Sequence, residues 1–183
     1  SYTDSEVFFM PKFSDAEREA ISAALLRQGE RLFCEYGLRK VTIDEIAKAV
    51  GIAKGSFYAF YGSKEELYFS ILARCQQDMW RRMDAFLSQN THLPPRELVK
   101  AAIRFVFSII SEYPMIQRTD SDTMVVLLRK LPGTLTQHHL EEDTLAVALV
   151  SRYQVPFAKP APVVAKAFQA LYGAVVMLAE TED

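Results

Sequence analysis

Three short patterns in the first part of the chain place a hydroxyl side chain three positions before a glutamate. They are Ser14 with Glu17, Thr42 with Glu45, and Ser63 with Glu66. This spacing is typical of a capping box, in which the hydroxyl accepts a hydrogen bond from the backbone of the third helical residue and the glutamate accepts one from the cap's own N–H. These three pairs therefore predict the starts of three helices.

Helical periodicity continues through the rest of the chain. Apolar residues recur three and four positions apart, and no segment alternates as a strand does. The Pro94–Pro95 pair begins a further helix, Pro114 interrupts it, and the polar segment 119–123 is typical of a cap for the next helix. Two more helices are predicted over about 134–153 and 162–179, so the expected fold class is all-α.

Residues 43–61 have the composition of a helix-turn-helix. Ala47 is small at a position where two helices must cross closely, and Gly51 supplies the left-handed turn that other residues resist. Apolar side chains at matching offsets face back into the same core, namely Ile46, Val50, Ile52, Phe57 and Phe60. A small residue, a glycine and apolar anchors in this order predict two crossed helices.

The second helix of this segment is expected to leave small and polar side chains exposed. These are Ala53, Lys54, Ser56, Tyr58 and Ala59. A cation, a hydroxyl and a phenol are groups that proteins use on DNA phosphates and base edges. Residues 37–64 contain five Lys or Arg and two acidic residues, a surplus of three positive charges in a chain of formal net charge −2. This local charge favours DNA binding over a small bundle with a basic solvated face.

The N-terminal segment, from about residue 20 to 72, resembles the N-terminal domain of TetR-family repressors. The matching run comprises Leu32-Phe33, Gly37, Val41-Thr42-Ile43, Ile46-Ala47, Gly51-Ile52, Lys54-Gly55-Ser56-Phe57-Tyr58 and Ser63-Lys64-Glu65-Glu66-Leu67. The resemblance implies a three-helix DNA-binding domain, here 12–62, and a larger helical domain, 63–183, that dimerises and binds an effector. It also implies a repressor that releases operator DNA when the effector changes the spacing of two recognition helices.

Individual roles follow from the same resemblance. Thr42 corresponds to a cap that contacts phosphate, and Lys54 and Ser56 correspond to residues that contact bases or phosphates. Tyr58 corresponds to a phosphate-contacting tyrosine and Lys64 to a phosphate contact at the start of the fourth helix. The expected DNA-binding residues are Thr42, Lys54, Gly55, Ser56, Tyr58, Tyr61 and Lys64.

Several positions depart from the family pattern. Phe60 stands where a histidine or tyrosine often reaches phosphate, and a phenyl ring has no donor. Tyr61 stands where phenylalanine is usual, so a hydroxyl has moved one position along the chain. Ala59 replaces what is often a larger side chain and offers a base only a small apolar contact. A single C-terminal helix, rather than the usual two, is predicted before Asp183.

The larger domain has enough apolar side chains to line a pocket for a small, largely apolar effector. The candidate lining residues are Phe105, Ile109, Met124, Leu128 and Phe168. For any one of them, an ordinary place in the core is the alternative interpretation. The final helix is apolar on every side, which predicts a homodimer interface formed by Tyr172, Gly173, Val176 and Ala179.

An enzyme is one alternative class, and a helical adaptor that uses the fold for protein contacts is another. The sequence has no phosphate-binding glycine loop, nucleophile elbow or Cys/His metal set, so no catalytic residue or cofactor is predicted. His138 and Glu142 lie one helical turn apart, but a polar solvated face explains them better than a metal site. The most apolar stretch, 167–179, is too short to cross a membrane, and a cytoplasmic protein is expected.

Overall fold

The computed structural model describes residues 13–133, and beyond these 152–153, 158–160, 162–164, 166–167 and 170. Its helices are α1 (Asp15–Lys40), α2 (Ile43–Val50), α3 (Lys54–Phe57), α4 (Lys64–Gln89), α5 (Pro95–Ile109), α6 (Pro114–Gln117) and α7 (Ser121–Lys130). A 3-10 turn, Ile110–Glu112, joins α5 to α6. The described part of the chain contains no strand, and the all-α prediction is confirmed.

Two of the three predicted capping boxes form as expected. The hydroxyls of Ser14 and Thr42 each accept a hydrogen bond from the backbone N–H of the glutamate three residues on. The backbone N–H of each cap residue in turn donates to the carboxylate of that glutamate. The third is different. Ser63 Oγ accepts from the N–H of Glu66 at 3.1 Å, but the Glu66 carboxylate accepts from the N–H of Gly62 at 2.8 Å. The glutamate therefore holds the residue before the cap and closes the turn that leads into α4.

Helix α1 contains a break at Gly37. This glycine has φ 78° and ψ 160°, outside the helical region, although helical hydrogen bonding resumes beyond it as far as Lys40. Backbone of this kind is available to glycine and costs other residues strain. The last turn of α1 consequently changes direction before the chain enters α2.

The chain divides into two compact units between Tyr68 and Phe69, so the first residues of α4 belong to the N-terminal unit. The predicted division lay after residue 62. The difference has a simple cause, because Leu67 and Tyr68 are almost fully buried and the Tyr68 ring meets that of Phe33 at 5.0 Å. The N-terminal unit thus takes the first turn of α4 to complete its own core.

Among the described residues of the second unit, one hydrophobic cluster lies between α4 and α5. Its buried members are Met83, Leu87, Leu98 and Ala102. Phe86 and Phe105 stack beside it, with ring centroids 4.4 Å apart and planes inclined by 11°. This side of α4 is therefore an ordinary packing face.

A polar network connects α4 to the turn that follows α5. Arg82 forms a two-pronged ion pair with Glu112, at 2.9 and 3.0 Å, and also donates to Tyr113 Oη. Tyr113 in turn donates to Asp78 at 2.5 Å. Burial is the main reason that the pKa of Tyr113 is raised, and the hydrogen bond to Asp78 adds to it. These bonds fix the place where Pro114 interrupts the helical run.

Candidate nucleic-acid interface

The turn between α2 and α3 is built around Gly51. Its φ of 81° and ψ of 28° place it in the left-handed region, and its N–H donates to the carbonyls of Ala47 and Lys48 at 2.9 and 3.2 Å. The next N–H, that of Ile52, also donates to Ala47 at 3.0 Å. Apart from the chain neighbours of Gly51, no atom of the described residues lies within 4 Å of the position that a Cβ would occupy. The backbone conformation, not crowding, therefore requires glycine here.

The residues expected to hold the two helices together are largely buried. Ile46 and Phe57 are fully enclosed, and Ala47 retains only 2% of its surface. Val50, Ile52 and Phe60 are half-buried. The small side chain at Ala47 allows α3 to approach α2 closely, and the helix-turn-helix predicted from the sequence is present.

Helix α3 is short and lacks a side-chain cap. Ala53 occupies the cap position with no side-chain hydrogen bond, and only Lys54–Phe57 have regular helical geometry. Beyond it the backbone continues as turns, with Ala59 N–H donating to Ser56 and Phe60 N–H donating to Phe57 at 3.2 and 2.9 Å. Within the described part of the chain, no side-chain cap therefore accepts from the N–H groups at the start of α3.

The exposed face of α3 is narrower than predicted. Lys54 and Gly55 are exposed, and Tyr58 shows 51% of its surface. Ser56 was expected on this face, but it is buried, with 8% exposed. Residues two positions apart on a helix lie on nearly opposite sides, and Ser56 therefore faces away from Lys54. Ala59, also expected to be exposed, is half-buried.

Lys54 is paired with a carboxylate that the sequence interpretation did not include. Its Nζ lies 2.7 Å from Oδ2 of Asp44, in the first turn of α2, and both side chains are more than half exposed. The hydrogen bond to Asp44, supported by its charge, raises the pKa of Lys54. The ammonium on the exposed face of α3 is therefore charged and held by a neighbouring helix.

Lys64 has a different environment. Its ammonium donates to the backbone carbonyls of Leu38, Arg39 and Val41 at 2.8, 3.3 and 2.6 Å. These carbonyls lie at the C-terminal end of α1 and its cap, where helical partners are missing. The side chain predicted to contact phosphate is thus directed at the protein's own backbone.

Thr42 and Tyr61 also have partners within the protein. The Thr42 hydroxyl donates to Glu45 Oε2 at 2.8 Å, and the Thr42 backbone N–H donates to the same oxygen. These two hydrogen bonds lower the pKa of Glu45. The ring of Tyr61 lies 6.0 Å from that of Phe57, and its side chain is half-buried. Of the seven predicted DNA-binding residues, Lys54, Gly55 and Tyr58 are brought together on the exposed face of α3.

Arg18 is a second residue that the sequence interpretation missed. Its guanidinium carbon lies 5.2 Å above the centre of the Phe60 ring, and Nη2 donates to the carbonyl of Ala59 at 3.4 Å. A cation over an aromatic face is attracted by the ring's negative surface. Nothing in the local pattern of α1 indicates this contact, because it joins residues 41 positions apart.

Only some of the residues proposed to line an effector pocket lie in the interior. Ile109 is buried, while Phe105 and Met124 are half-buried. Leu128 is 59% exposed and does not line the interior, because α7 turns its neighbour Leu127 inward instead. Phe168, the fifth member, lies outside the described residues, as do the four residues of the predicted dimer interface: Tyr172, Gly173, Val176 and Ala179. His138 and Glu142 also lie outside the described part.

The N-terminal part of the chain is similar to proteins of known family. Residues 25–71 match the family model described as bacterial regulatory proteins, tetR family. The nucleoid occlusion factor SlmA of Glaesserella parasuis is 28% identical over 100 residues, which are 54% of this chain and 49% of that protein. The uncharacterized HTH-type transcriptional regulator YerO of Bacillus subtilis is 34% identical over 82 residues, 43% of this chain and 27% of that protein. The chain thus spans about half or less of these relatives.

Solved structures resemble the fold over most of the chain. Thermus thermophilus FadR, a repressor solved in complex with lauroyl-CoA, superposes with a TM-score of 0.62 at 17% identity, covering 85% of this chain and 80% of that one. The fatty acid degradation regulator FadR from Bacillus halodurans gives 0.61 at 14% identity, covering 94% and 88%. At these identities the likeness shows a shared fold. No helix in the described residues is long and apolar enough to cross a membrane.

Proposed function

We propose that the chain is a ligand-responsive repressor of the tetR family of bacterial regulatory proteins and that it binds operator DNA as a dimer. The observation that supports this most is the exposed face of α3, which presents Lys54, Gly55 and Tyr58 beside a turn held by Gly51. A cation and a phenol on a short helix of this kind are suited to the major groove. Gly55 has no side chain, so it lets the backbone of α3 come close to the DNA.

The charge distribution supports DNA as the partner. Residues 37–64 have a surplus of three positive charges, from five basic and two acidic residues, although the whole chain is formally −2. Association with phosphates depends on such local charge. A protein that binds operators in the nucleoid belongs in the cytoplasm, which is where we place it.

A small-molecule effector and a homodimer complete the proposal. Two structures with the same fold were solved with organic ligands, Thermus thermophilus FadR with lauroyl-CoA and RolR with resorcinol. We propose a largely apolar effector bound in the second unit, beside the aromatic pair Phe86 and Phe105. Two recognition helices on one pseudo-palindromic site require a dimer. We propose no enzymatic activity.

The primary experiment is selection of duplexes from a random library with the wild-type protein, followed by titration of the selected operator at several salt concentrations. We expect a selected pseudo-palindrome, two chains per site, and affinity that falls steeply with salt. The variant K54M should lose discrimination between the operator and scrambled DNA. K100M is a matched control, because Lys100 also pairs with a carboxylate, Glu97 at 2.9 Å, but in the second unit. Absence of any selected sequence would contradict the proposed function.

The effector part has its own test. Titration with medium- and long-chain acyl-CoA esters and with small phenols should reveal a ligand that raises the unfolding temperature and weakens operator binding. Reciprocity requires the operator to weaken binding of that ligand by the same factor. A helical adaptor would instead retain its fold and show no preference for any duplex.

A further inference from the structure

From its contacts with the turn that ends α3, we infer that Arg18 of α1 is a further DNA-binding residue and that it contacts a backbone phosphate. This role rests on the proposed function and adds a residue of α1, 41 positions before Ala59, to the DNA-binding face of α3. A phosphate contact carries no sequence information, so Arg18 adds the same affinity to operator and to non-cognate DNA.

Two contacts place Arg18 at the end of α3. Its Nη2 donates to the carbonyl of Ala59 at 3.4 Å, and its guanidinium carbon lies 5.2 Å from the centre of the Phe60 ring. The Phe60 ring also meets that of Phe13, with centroids 6.0 Å apart. The guanidinium therefore lies against the two residues that directly follow Tyr58, the last residue of the exposed face of α3.

The turn that carries these two residues is continuous with α3. The N–H of Ala59 donates to Ser56 and that of Phe60 donates to Phe57, so the backbone keeps winding past the end of the regular helix. When the N-terminal residues of a recognition helix contact bases, residues near its far end meet the phosphates that border the groove. A cation held at this end of α3 is therefore placed for a phosphate.

The internal contacts of Arg18 leave its guanidinium able to bind an anion. The side chain belongs to an exposed residue, and the hydrogen bond to Ala59 uses one of five N–H donors. Among the described residues it makes no other hydrogen bond. Arginine can bind phosphate oxygens with two parallel hydrogen bonds. A phosphate can therefore bind while both internal contacts persist, and no ion pair has to be broken first.

Two carboxylates on α1 lie beside Arg18. Asp15 and Glu19 line the same shallow depression as Arg18 and Phe60, and Arg18 is the one cation among the described residues that line it. Within the described part of the chain neither carboxylate forms an ion pair with Arg18. Both repel a phosphate at this position. Without Arg18, a phosphate that reaches the depression would meet negative charge alone.

The alternative is that Arg18 acts only on the stability of the fold. A cation near the C-terminal end of a helix interacts favourably with the carbonyls there, and the carbonyl of Ala59 follows the end of α3. In that case the loss of Arg18 would lower the stability of the protein, and the dependence of DNA affinity on salt would not change.

The test compares two arginines of α1 in the full chain, on the operator selected by the wild-type protein and on a scrambled duplex of equal length. R18M removes the proposed contact, and R18Q serves as a second variant. R27M is the matched control, because Arg27 is an exposed arginine of the same helix. It lies about two and a half turns further along α1 and therefore on the opposite side. Circular dichroism and urea unfolding report the fold and stability of each protein.

We expect R18M to weaken binding to both duplexes by the same factor, so that the ratio of the two affinities keeps its wild-type value. The slope of log K against log salt should fall by about one unit for each bound chain. The loss per chain should consequently be about three- to fourfold greater at 50 mM salt than at 200 mM. R27M should keep the wild-type slope.

Two further variants examine the geometry. R18K should keep the slope and lose part of the affinity, because an ammonium carries the charge without the planar fork that binds phosphate with two bonds. E19Q removes a carboxylate that repels the same phosphate, so it should strengthen binding to both duplexes alike. Unchanged affinity in E19Q would contradict a phosphate at the depression that Glu19 and Arg18 share.

A slope in R18M that stays at the wild-type value, or that falls no more than in R27M, would overturn the phosphate contact. A loss confined to the operator would also overturn it, because it would place Arg18 at a base edge. Lower stability in urea with an unchanged slope would assign Arg18 to the fold alone. Each of these results leaves the DNA-binding function intact, whereas a wild-type protein that selects no duplex would contradict the proposed function itself.

Discussion

The starts of α3 and α4 both carry a lysine at the first helical position, and the two lysines have opposite surroundings. Lys54, on α3, is exposed and meets one carboxylate of a neighbouring helix. Lys64, on α4, reaches three backbone carbonyls at the end of α1. The two helix starts differ in the same way, because Ala53 provides α3 with no side-chain cap while Ser63 caps α4.

On the proposed function, this difference assigns DNA recognition to the start of α3 and structural support to the start of α4. The start of α3 has few internal hydrogen bonds, so its charge and its backbone are available to a partner. The start of α4 is bonded into the unit, and Lys64 supplies acceptor carbonyls with the donors that the helix end lacks. The family pattern predicts that Lys54 contacts bases or phosphates and that Lys64 contacts phosphate. Because Lys64 is bonded to three backbone carbonyls, we propose that Lys54 is the one of the two that contacts DNA.

The largest expected effect is on stability at the start of α4. K64M removes the ammonium that donates to three backbone carbonyls. These carbonyls would then be left without this donor while partly buried. Hydrogen bonds to charged groups contribute about 1.5–3 kcal/mol, and we expect the free energy of unfolding to fall by an amount in that range. K54M, the same change at the other lysine, should cost less than about 0.5 kcal/mol. Urea unfolding followed by circular dichroism measures both, and equal losses would break the comparison.

A second expected effect reverses the order of the two lysines. Binding to DNA should lose about 1–3 kcal/mol of discrimination in K54M if Lys54 contacts a base edge. K64M, measured where it is fully folded, should keep the wild-type dependence of affinity on salt. A phosphate contact would instead reduce that slope by about one unit. Fluorescence anisotropy at four salt concentrations distinguishes the two, and a flattened slope in K64M would restore Lys64 to the DNA-binding residues.

Sequence reasoning identified the frame of the site because its signals are local. Capping pairs three residues apart and a glycine at the end of a short helix act within a single turn, and Thr42, Glu45 and Gly51 lie where these patterns predict. The same reasoning failed for Ser56, since a four-residue helix is too short for its period to fix which side faces inward. Polarity alone suggested an exposed position.

Contacts between distant parts of the chain were beyond the reach of such patterns. The acceptors for Lys64 lie 23 to 26 positions earlier, and Arg18 meets Ala59 across 41 positions. These pairings depend on how α1 packs against the later helices, which no short window contains. A lysine's donors are also long and flexible, so its sequence position does not determine where its charge is used.

A third prediction concerns the caps at the two helix starts. S63A removes the acceptor for the N–H of Glu66, and losing a cap of this type costs about 1 kcal/mol of stability. A53S adds a hydroxyl where α3 has no cap, and we expect it to increase stability by about 0.5–1 kcal/mol. Thermal unfolding of the two variants should therefore shift in opposite directions. Shifts of the same sign would show that the caps do not distinguish the two starts.

The smallest expected effect is on the titration of Lys54. The hydrogen bond from Lys54 to Asp44 raises the pKa of the lysine above its ordinary value of 10.5, so D44N should bring that pKa down. A raised pKa means that the pair stabilises the folded protein at pH values below the ordinary lysine pKa. This contribution is lost as the pH rises through the folded pKa. At neutral pH Lys54 is fully charged in either protein, and binding to DNA there reflects competition between anions and not deprotonation.

Nuclear magnetic resonance of the lysine side chains between pH 9 and 12 measures this directly. Lys54 should titrate at a lower pH in D44N than in the wild-type protein, and E19Q should leave its titration where it is. The ion pair is exposed, so salt at about 1 M, where the screening length is about 3 Å, should reduce the difference between wild type and D44N. An unchanged Lys54 titration in D44N would mean that the pair is not populated in solution. The Lys54 ammonium could then bind any incoming anion without first leaving Asp44. The comparison between the start of α3 and the start of α4 would then involve no exchange of one anion for another.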